Sequence, residues 1–156
     1  MSKPLDVLLI TPPSRVQVYQ ELSRDFAAIE PPVWSGLIAT FLRQHSCSVA
    51  ILDAEAEGLN HQQTAERIAV IAPRLTVFVI YGQQPSASTQ CMPAGRKVCD
   101  ILNTLADIPT LVMGTHPSAL PKRTLLEEPY TYVCQGEGPS TILGLVIALR
   151  APQHSL

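Results

Sequence analysis

The sequence has few aromatic residues, little charge and no recurrent cysteine spacing, and each shortage removes a class of function. Aromatics make up 5% of the 156 residues, too few for a platform on which unpaired bases stack. Charged residues make up 15%, and the formal net charge is −2. Lys and Arg are scattered rather than gathered into a patch or run. A nucleic-acid interface needs such a positive footprint, so no nucleic acid is expected as a partner. The apolar run from Val7 to Ile10 is too short for a signal-peptide core or a membrane span, and no later stretch reaches spanning length. Cys47, Cys91, Cys99 and Cys134 stand apart from one another, with no CxxC or CxxxCxxC. A sequence-local metal or iron–sulfur motif is therefore missing. Free thiols in a reducing, cytoplasmic compartment are expected rather than disulfides.

Several catalytic signatures are missing too. No GxGxxG or Walker motif follows the first apolar run, and no GxSxG nucleophile elbow occurs anywhere. A phosphoacceptor domain needs paired acidic residues after its first strand and an Asp ending its third. Here the first strand runs into Thr11-Pro12-Pro13 and the third into Tyr81. No catalytic residues are assigned.

What remains is a chain with 46% hydrophobic residues, enough to build one globular domain over residues 1–150, with 151–156 as a tail. Leu5 to Ile10 is a near-continuous apolar run, as in a strand covered on both faces. Trp34, Leu37, Ile38, Phe41 and Leu42 recur at helical spacing, which predicts a helix over residues 33–44. Val49 to Leu52 reads as a second strand. Asn60, with Gln63 three residues on, predicts a capped helix ended by Pro73. Leu75 to Ile80 is β-branched, aromatic and uncharged, the clearest strand of all. A third helix carries Met92, Val98, Ile101, Leu102 and Leu105. Thr110 to Met113 and Tyr130 to Cys134 complete the strands, with helices over Pro121 to Glu127 and from Pro139 to Leu149. Strands alternating with helices predict a doubly wound, Rossmann-like (flavodoxin-like) α/β fold. Its parallel sheet has five strands in the order 2-1-3-4-5.

Such a sheet binds ligands beyond the carboxyl ends of its strands, where the strand order reverses. The connection from Thr11 to Pro32 is several times longer than the usual about 2–6 residues, which marks it as a functional loop or lid. Pro12 and Pro13 open it. After the third strand come Tyr81, Gly82, Gln83, Gln84, Pro85, Ser86, Ser88 and Thr89, an uncharged run of small and polar groups able to face an amide-rich or phosphate ligand. Ser88 also suits a helix cap. After the fourth strand come Gly114, Thr115 and His116. Gly114 permits close backbone approach to a ligand, and His116 either contacts that ligand or satisfies its own loop. After the fifth come Gln135, Gly136, Glu137 and Gly138, which read as ligand contacts or as a turn with Glu137 near a helix dipole. His45, His61 and His154 are expected on the surface.

These rim segments, with Glu30 to Ala39 and Val49 to Ala54, resemble the N-terminal cobalamin-binding domain of radical SAM enzymes, a group including anaerobic magnesium-protoporphyrin monomethyl ester cyclase and cobalamin-dependent methyltransferases. The resemblance covers almost the whole chain. It implies a corrinoid, cobalamin, across the carboxyl edge, with the loop after the third strand and Gly114 facing it. It also implies that the [4Fe-4S] cluster and S-adenosylmethionine belong to a catalytic domain absent from this chain, met in cis or in trans. The DxHxxG motif whose His ligates cobalt in methionine-synthase-type domains is missing. Asp53 to Gly58 copies its Asp and Gly spacing after the wrong strand, with Glu55 in the His position. The resemblance thus implies a corrinoid-binding module that presents its cofactor to a separate catalytic domain for methyl transfer or oxidative cyclisation. A cofactor-free docking or substrate-recognition domain and a flavin- or nucleotide-binding domain are the other two readings.

Overall fold

The computed structural model describes residues 4–15, 29–82 and 85–151, the last stretch without the side chains of residues 85 and 86. Strands β1 (Val7–Thr11), β2 (Val49–Asp53), β3 (Leu75–Val79), β4 (Thr110–Met113) and β5 (Tyr132–Val133) form one sheet in the order 2-1-3-4-5. All the pairings are parallel, and β1 sits between its neighbours with Ile10 opposite both Leu52 and Phe78. The helices are α1 (Val33–Gln44), α2 (His61–Ile71), α3 (Pro85–Leu105), α4 (Thr115–Ala119), α5 (Pro121–Glu127) and α6 (Pro139–Arg150).

Alternation along the strands divides the core in two. Val7, Leu9, Val77 and Leu111 pack under α1 and α6, against Ile38, Leu42, Ile142 and Val146. Leu8, Ile10, Phe78 and Val112 pack under α2 and α3, against Ile68, Val98 and Leu102. The two-sided burial explains why β1 and β3 are apolar except at Thr11 and Thr76. Each fully buried Leu, Ile or Phe contributes about 1.5–3 kcal/mol relative to exposure.

The capping box forms as expected. Asn60 Oδ1 accepts from the Gln63 N–H at 2.9 Å, and Gln63 Oε1 accepts from the Asn60 N–H at 3.0 Å. Other expectations need correction. Trp34 and Leu37 do not belong to the buried stripe of α1, being 47% and 60% exposed. That stripe is Ser35, Ile38, Ala39 and Leu42, at the offsets a helix buries. The fifth strand is shorter than Tyr130 to Cys134. Its entry is held instead by side chains, with the Thr110 N–H donating to Thr131 Oγ1 at 3.1 Å and the Thr131 N–H to Thr110 Oγ1 at 3.0 Å. His61 is half-buried rather than on the surface, and burial pushes its imidazole pKa below the ordinary value, with Lys97 adding to the effect. His45 is exposed as expected, and His154 lies outside the described residues.

Gly95 on α3 lets that helix close over β3. A Cβ there would lie 2.6 Å from both Ile80 Cδ1 and the Tyr130 hydroxyl. That hydroxyl is buried without a hydrogen-bond partner, while the ring meets Phe78 edge-on at 5.3 Å. Tyr130→Phe is therefore expected to leave stability unchanged or raise it by up to about 1 kcal/mol, because a desolvated, unpaired hydroxyl is removed. Gly95→Ala is expected to cost about 1–3 kcal/mol by overpacking. Adding Tyr130→Phe to it should recover part of that loss. Denaturant midpoints at constant m-value measure all three.

Candidate functional site

The parallel strands bring the ends of β1, β3, β4 and β5 to one edge. The strand order reverses between β1 and β3, which places the natural crevice there. Pro12 is buried and Pro13 half-buried where β1 leaves the sheet. Residues 16–28, most of the expected lid, lie outside the described residues, as do Gln83, Gln84 and the side chains of Pro85 and Ser86.

Tyr81, at the end of β3, stacks on Trp34 from the first turn of α1, with ring centroids 4.8 Å apart and planes 22° from parallel. Burial pushes the Tyr81 phenol pKa above its ordinary value, and Cys134 and Glu137 push it the same way. The pair is a flat aromatic surface beside the switch point. The exposed side chains of Val33 and Leu37 extend the apolar area along α1.

Gly82 follows, exposed, and its missing side chain is explained by α3. A Cβ there would sit 2.1 Å from that of Ala87. Because α3 starts at Pro85, Ser88 lies inside the helix and does not cap it. Its buried hydroxyl donates to the Ile80 carbonyl at 2.5 Å and accepts the His116 N–H at 3.0 Å. Ser88 thus stitches β3 to the start of α4, a short helix that the residue pattern did not reveal.

Gly114 is required by the protein's own backbone as well. At φ 150°, a Cβ would stand 1.9 Å from the Ile80 carbonyl oxygen. Thr115 is half-buried, and His116 pairs through Nδ1 with Thr89 Oγ1 at 2.9 Å, joining α4 to α3. Ser118 Oγ accepts the Gly136 N–H at 3.1 Å and so fixes the turn after β5. Gln135, Gly136 and Glu137 are exposed there, and nothing lies within 4 Å of where a Gly136 Cβ would be. Gly138 is buried against the Met113 side chain and begins α6.

On the β2 side, Glu55 Oε2 accepts the backbone N–H groups of Ser14 at 2.6 Å and Arg15 at 2.7 Å. The sequence pattern gave no sign of this contact. Cys91 Sγ donates to Ser14 Oγ at 3.4 Å, and burial raises the thiol's pKa. All four cysteines are free, as the composition predicts. Among the described residues, no group of three or more His, Cys, Asp or Glu side chains could hold a metal ion. Among the same residues, no helix is long and apolar enough to cross a membrane.

The fold is similar to the structure of the radical S-adenosylmethionine methyltransferase TsrM from Kitasatospora setae with tryptophan substrate and a SAM analogue bound. The TM-score is 0.72 at 17% identity, over 92% of this chain and 25% of that one. TsrM with cobalamin and a [4Fe-4S] cluster gives 0.69 at 16% identity, over 93% of this chain and 24% of that one. The apo form of the cobalamin-dependent S-adenosylmethionine radical enzyme OxsB gives 0.62 at 17% identity, over 95% of this chain and 19% of that one. This chain therefore spans a quarter or less of the length of those enzymes. No curated protein matches it. The family model of the B12 binding domain matches residues 22–146, and the chain belongs to that family.

Proposed function

We propose that this domain holds a corrinoid, cobalamin, across the carboxyl edge of its sheet and presents it to a radical SAM catalytic unit for methyl transfer. That unit, in the same chain or another, would carry the [4Fe-4S] cluster and S-adenosylmethionine. The observation that carries the reading is the make-up of the switch-point rim in a chain of the B12-binding family. A broad, flat ligand fringed with amides needs apolar area, close backbone approach and small polar groups around it. The stacked Trp34 and Tyr81 offer the area. Gly82 and Gly136 are exposed and without a Cβ, and Thr89, Thr115, His116, Gln135 and Glu137 follow β3, β4 and β5 in the same set of connections. Pro13 borders the same edge, and Gln83, Gln84, Pro85 and Ser86 continue the run that starts at Tyr81. Pro12, Ser88, Gly114 and Gly138 are buried and hold this rim from behind. Bound there, the corrinoid would supply a cobalt centre able to carry a methyl group. The protein's part is to seat and orient it. Four free cysteines fit a cytoplasmic setting.

Trp34 is the one tryptophan of the chain, so it reports on its own site. The purified chain mixed with hydroxocobalamin and desalted is expected to keep the corrin visible spectrum. Titration is expected to quench Trp34 emission, because corrin absorption overlaps it. Colourless, folded protein with unchanged emission would overturn the proposal. A flavin spectrum on purification would replace it with a nucleotide-binding reading.

A further inference from the structure

Glu55 joins two connections that are distant in sequence. Its Oε2 accepts the Ser14 and Arg15 N–H groups at 2.6 and 2.7 Å, contacts that span 41 and 40 residues. The Ser14 hydroxyl donates to the same oxygen at 3.4 Å, and Arg15 Nε lies 3.7 Å from Oε1. The carboxylate is 18% exposed, so little water competes for these bonds. Charge-assisted bonds to backbone N–H groups are among the stronger ones. Beneath, the turn that carries Glu55 is itself braced. The Ala56 N–H donates to Asp53 Oδ1 at 3.1 Å, and the Ala54 N–H to the Thr11 carbonyl at 3.1 Å. Cys91 of α3 closes the arrangement from the other side by donating to Ser14 Oγ at 3.4 Å. A braced turn, a helix and a half-buried carboxylate all converge on residues 14 and 15. These residues continue the chain from Pro12 and Pro13, beside the switch point.

We propose that Glu55 is a positioning residue that fixes residues 12–15 as the β2-side wall of the corrinoid site and so slows release of the bound corrinoid. The inference rests on the corrinoid reading above. Glu55 does not touch the ligand. It acts through the backbone it holds. Glutamine at 55 keeps one oxygen able to accept both N–H groups but loses the charge, whereas alanine keeps neither.

The test measures corrinoid release by stopped-flow absorbance after mixing loaded protein with a scavenging cobalamin binder. Glu55→Ala is expected to release the corrinoid on the order of tenfold faster or more, from the loss of charge-assisted bonds, and Glu55→Gln by less. Glu57→Ala is the control, since Glu57 shares the turn but pairs, among the described residues, with exposed Arg67 at 3.0 Å, and its release rate should not change. Hydrogen exchange at the Ser14 and Arg15 amides should quicken in Glu55→Ala with the global unfolding midpoint little moved. Release from Glu55→Ala at the unaltered rate, or from Glu57→Ala as fast as from Glu55→Ala, would overturn this proposal alone. Failure of the unaltered chain to retain any corrinoid would overturn the binding reading and this one with it.

Discussion

Gly114→Ala is expected to destabilise the protein by roughly 3–5 kcal/mol, combining backbone strain at an unfavourable φ with overpacking. The alanine Cβ would stand 1.9 Å from the Ile80 carbonyl oxygen and 3.0 Å from Ser88 Oγ. Neither neighbour yields easily. The Ile80 N–H is held by the Met113 carbonyl at 2.8 Å, and the Ser88 hydroxyl is bonded on both sides. The strands would have to part where the sheet meets the site. Denaturant unfolding measures the loss. Corrinoid retention should fall even in the fraction that stays folded, because His116 and Tyr81 are placed by the same contacts. A variant as stable as the original would mean that β3 and β4 separate more freely than their packing implies.

The second large effect lies at the opposite end of the sheet. Asp6 is 1% exposed, and Arg150 clasps it with Nε at 2.9 Å from Oδ1 and Nη2 at 2.7 Å from Oδ2. The N–H and hydroxyl of Ser48 donate to Oδ2 at 2.8 and 2.7 Å, and Arg74 Nε lies 3.6 Å from Oδ1. The Arg150 bonds, helped by Ser48, hold the Asp6 carboxyl pKa well below the usual range despite its burial. Asp6→Ala strands these donors and is expected to cost about 2–4 kcal/mol. The lower end reflects the two arginines, which are 28% and 31% exposed and can turn to water.

The pH dependence has a definite sign. A carboxylate whose folded pKa is depressed contributes its full stability above the unfolded value of about 3.9. That contribution drains away as pH falls from there towards the lower folded value. The stability gap between the original chain and Asp6→Ala should be constant near neutrality and shrink only below about pH 4. Thermal midpoints taken from pH 7 down to pH 3 measure it. A gap that closes between pH 6 and 5 would assign the effect to another group.

Much of the fold was legible because its signals are local. The apolar run at Val7–Ile10 and the β-branched, uncharged run at Leu75–Ile80 match strands covered on both faces. The Asn60–Gln63 box and the prolines at 121 and 139 mark helix starts. Misreadings arose where tertiary contacts overrode periodicity. Trp34 and Leu37 fit a helical stripe, yet the helix rolls to bury Ser35 and Ala39, leaving Trp34 to stack on Tyr81. Ser88 reads as a cap because hydroxyls favour caps, but its partners come from β3 and α4. The last strand loses its first residues because Thr110 and Thr131 exchange side-chain bonds across the gap. At the sheet edge, chain order foretold which residues follow β1, β3, β4 and β5. The role of Glu55 leaves no local mark, because its partners Ser14 and Arg15 are 41 and 40 residues away.

The Asp6–Arg150 clasp carries a consequence for synthesis. Its partners are 144 residues apart, one at the start of the first strand and the other at the end of the last helix. A chain still leaving the ribosome can pair β1 with β2 and β3 while Asp6 lacks its strongest counter-charge. Until α6 emerges and docks, that buried carboxylate rests on Ser48 and the more distant Arg74. The domain is thus expected to lock only once residue 150 is free, with its edge open to chaperones before then.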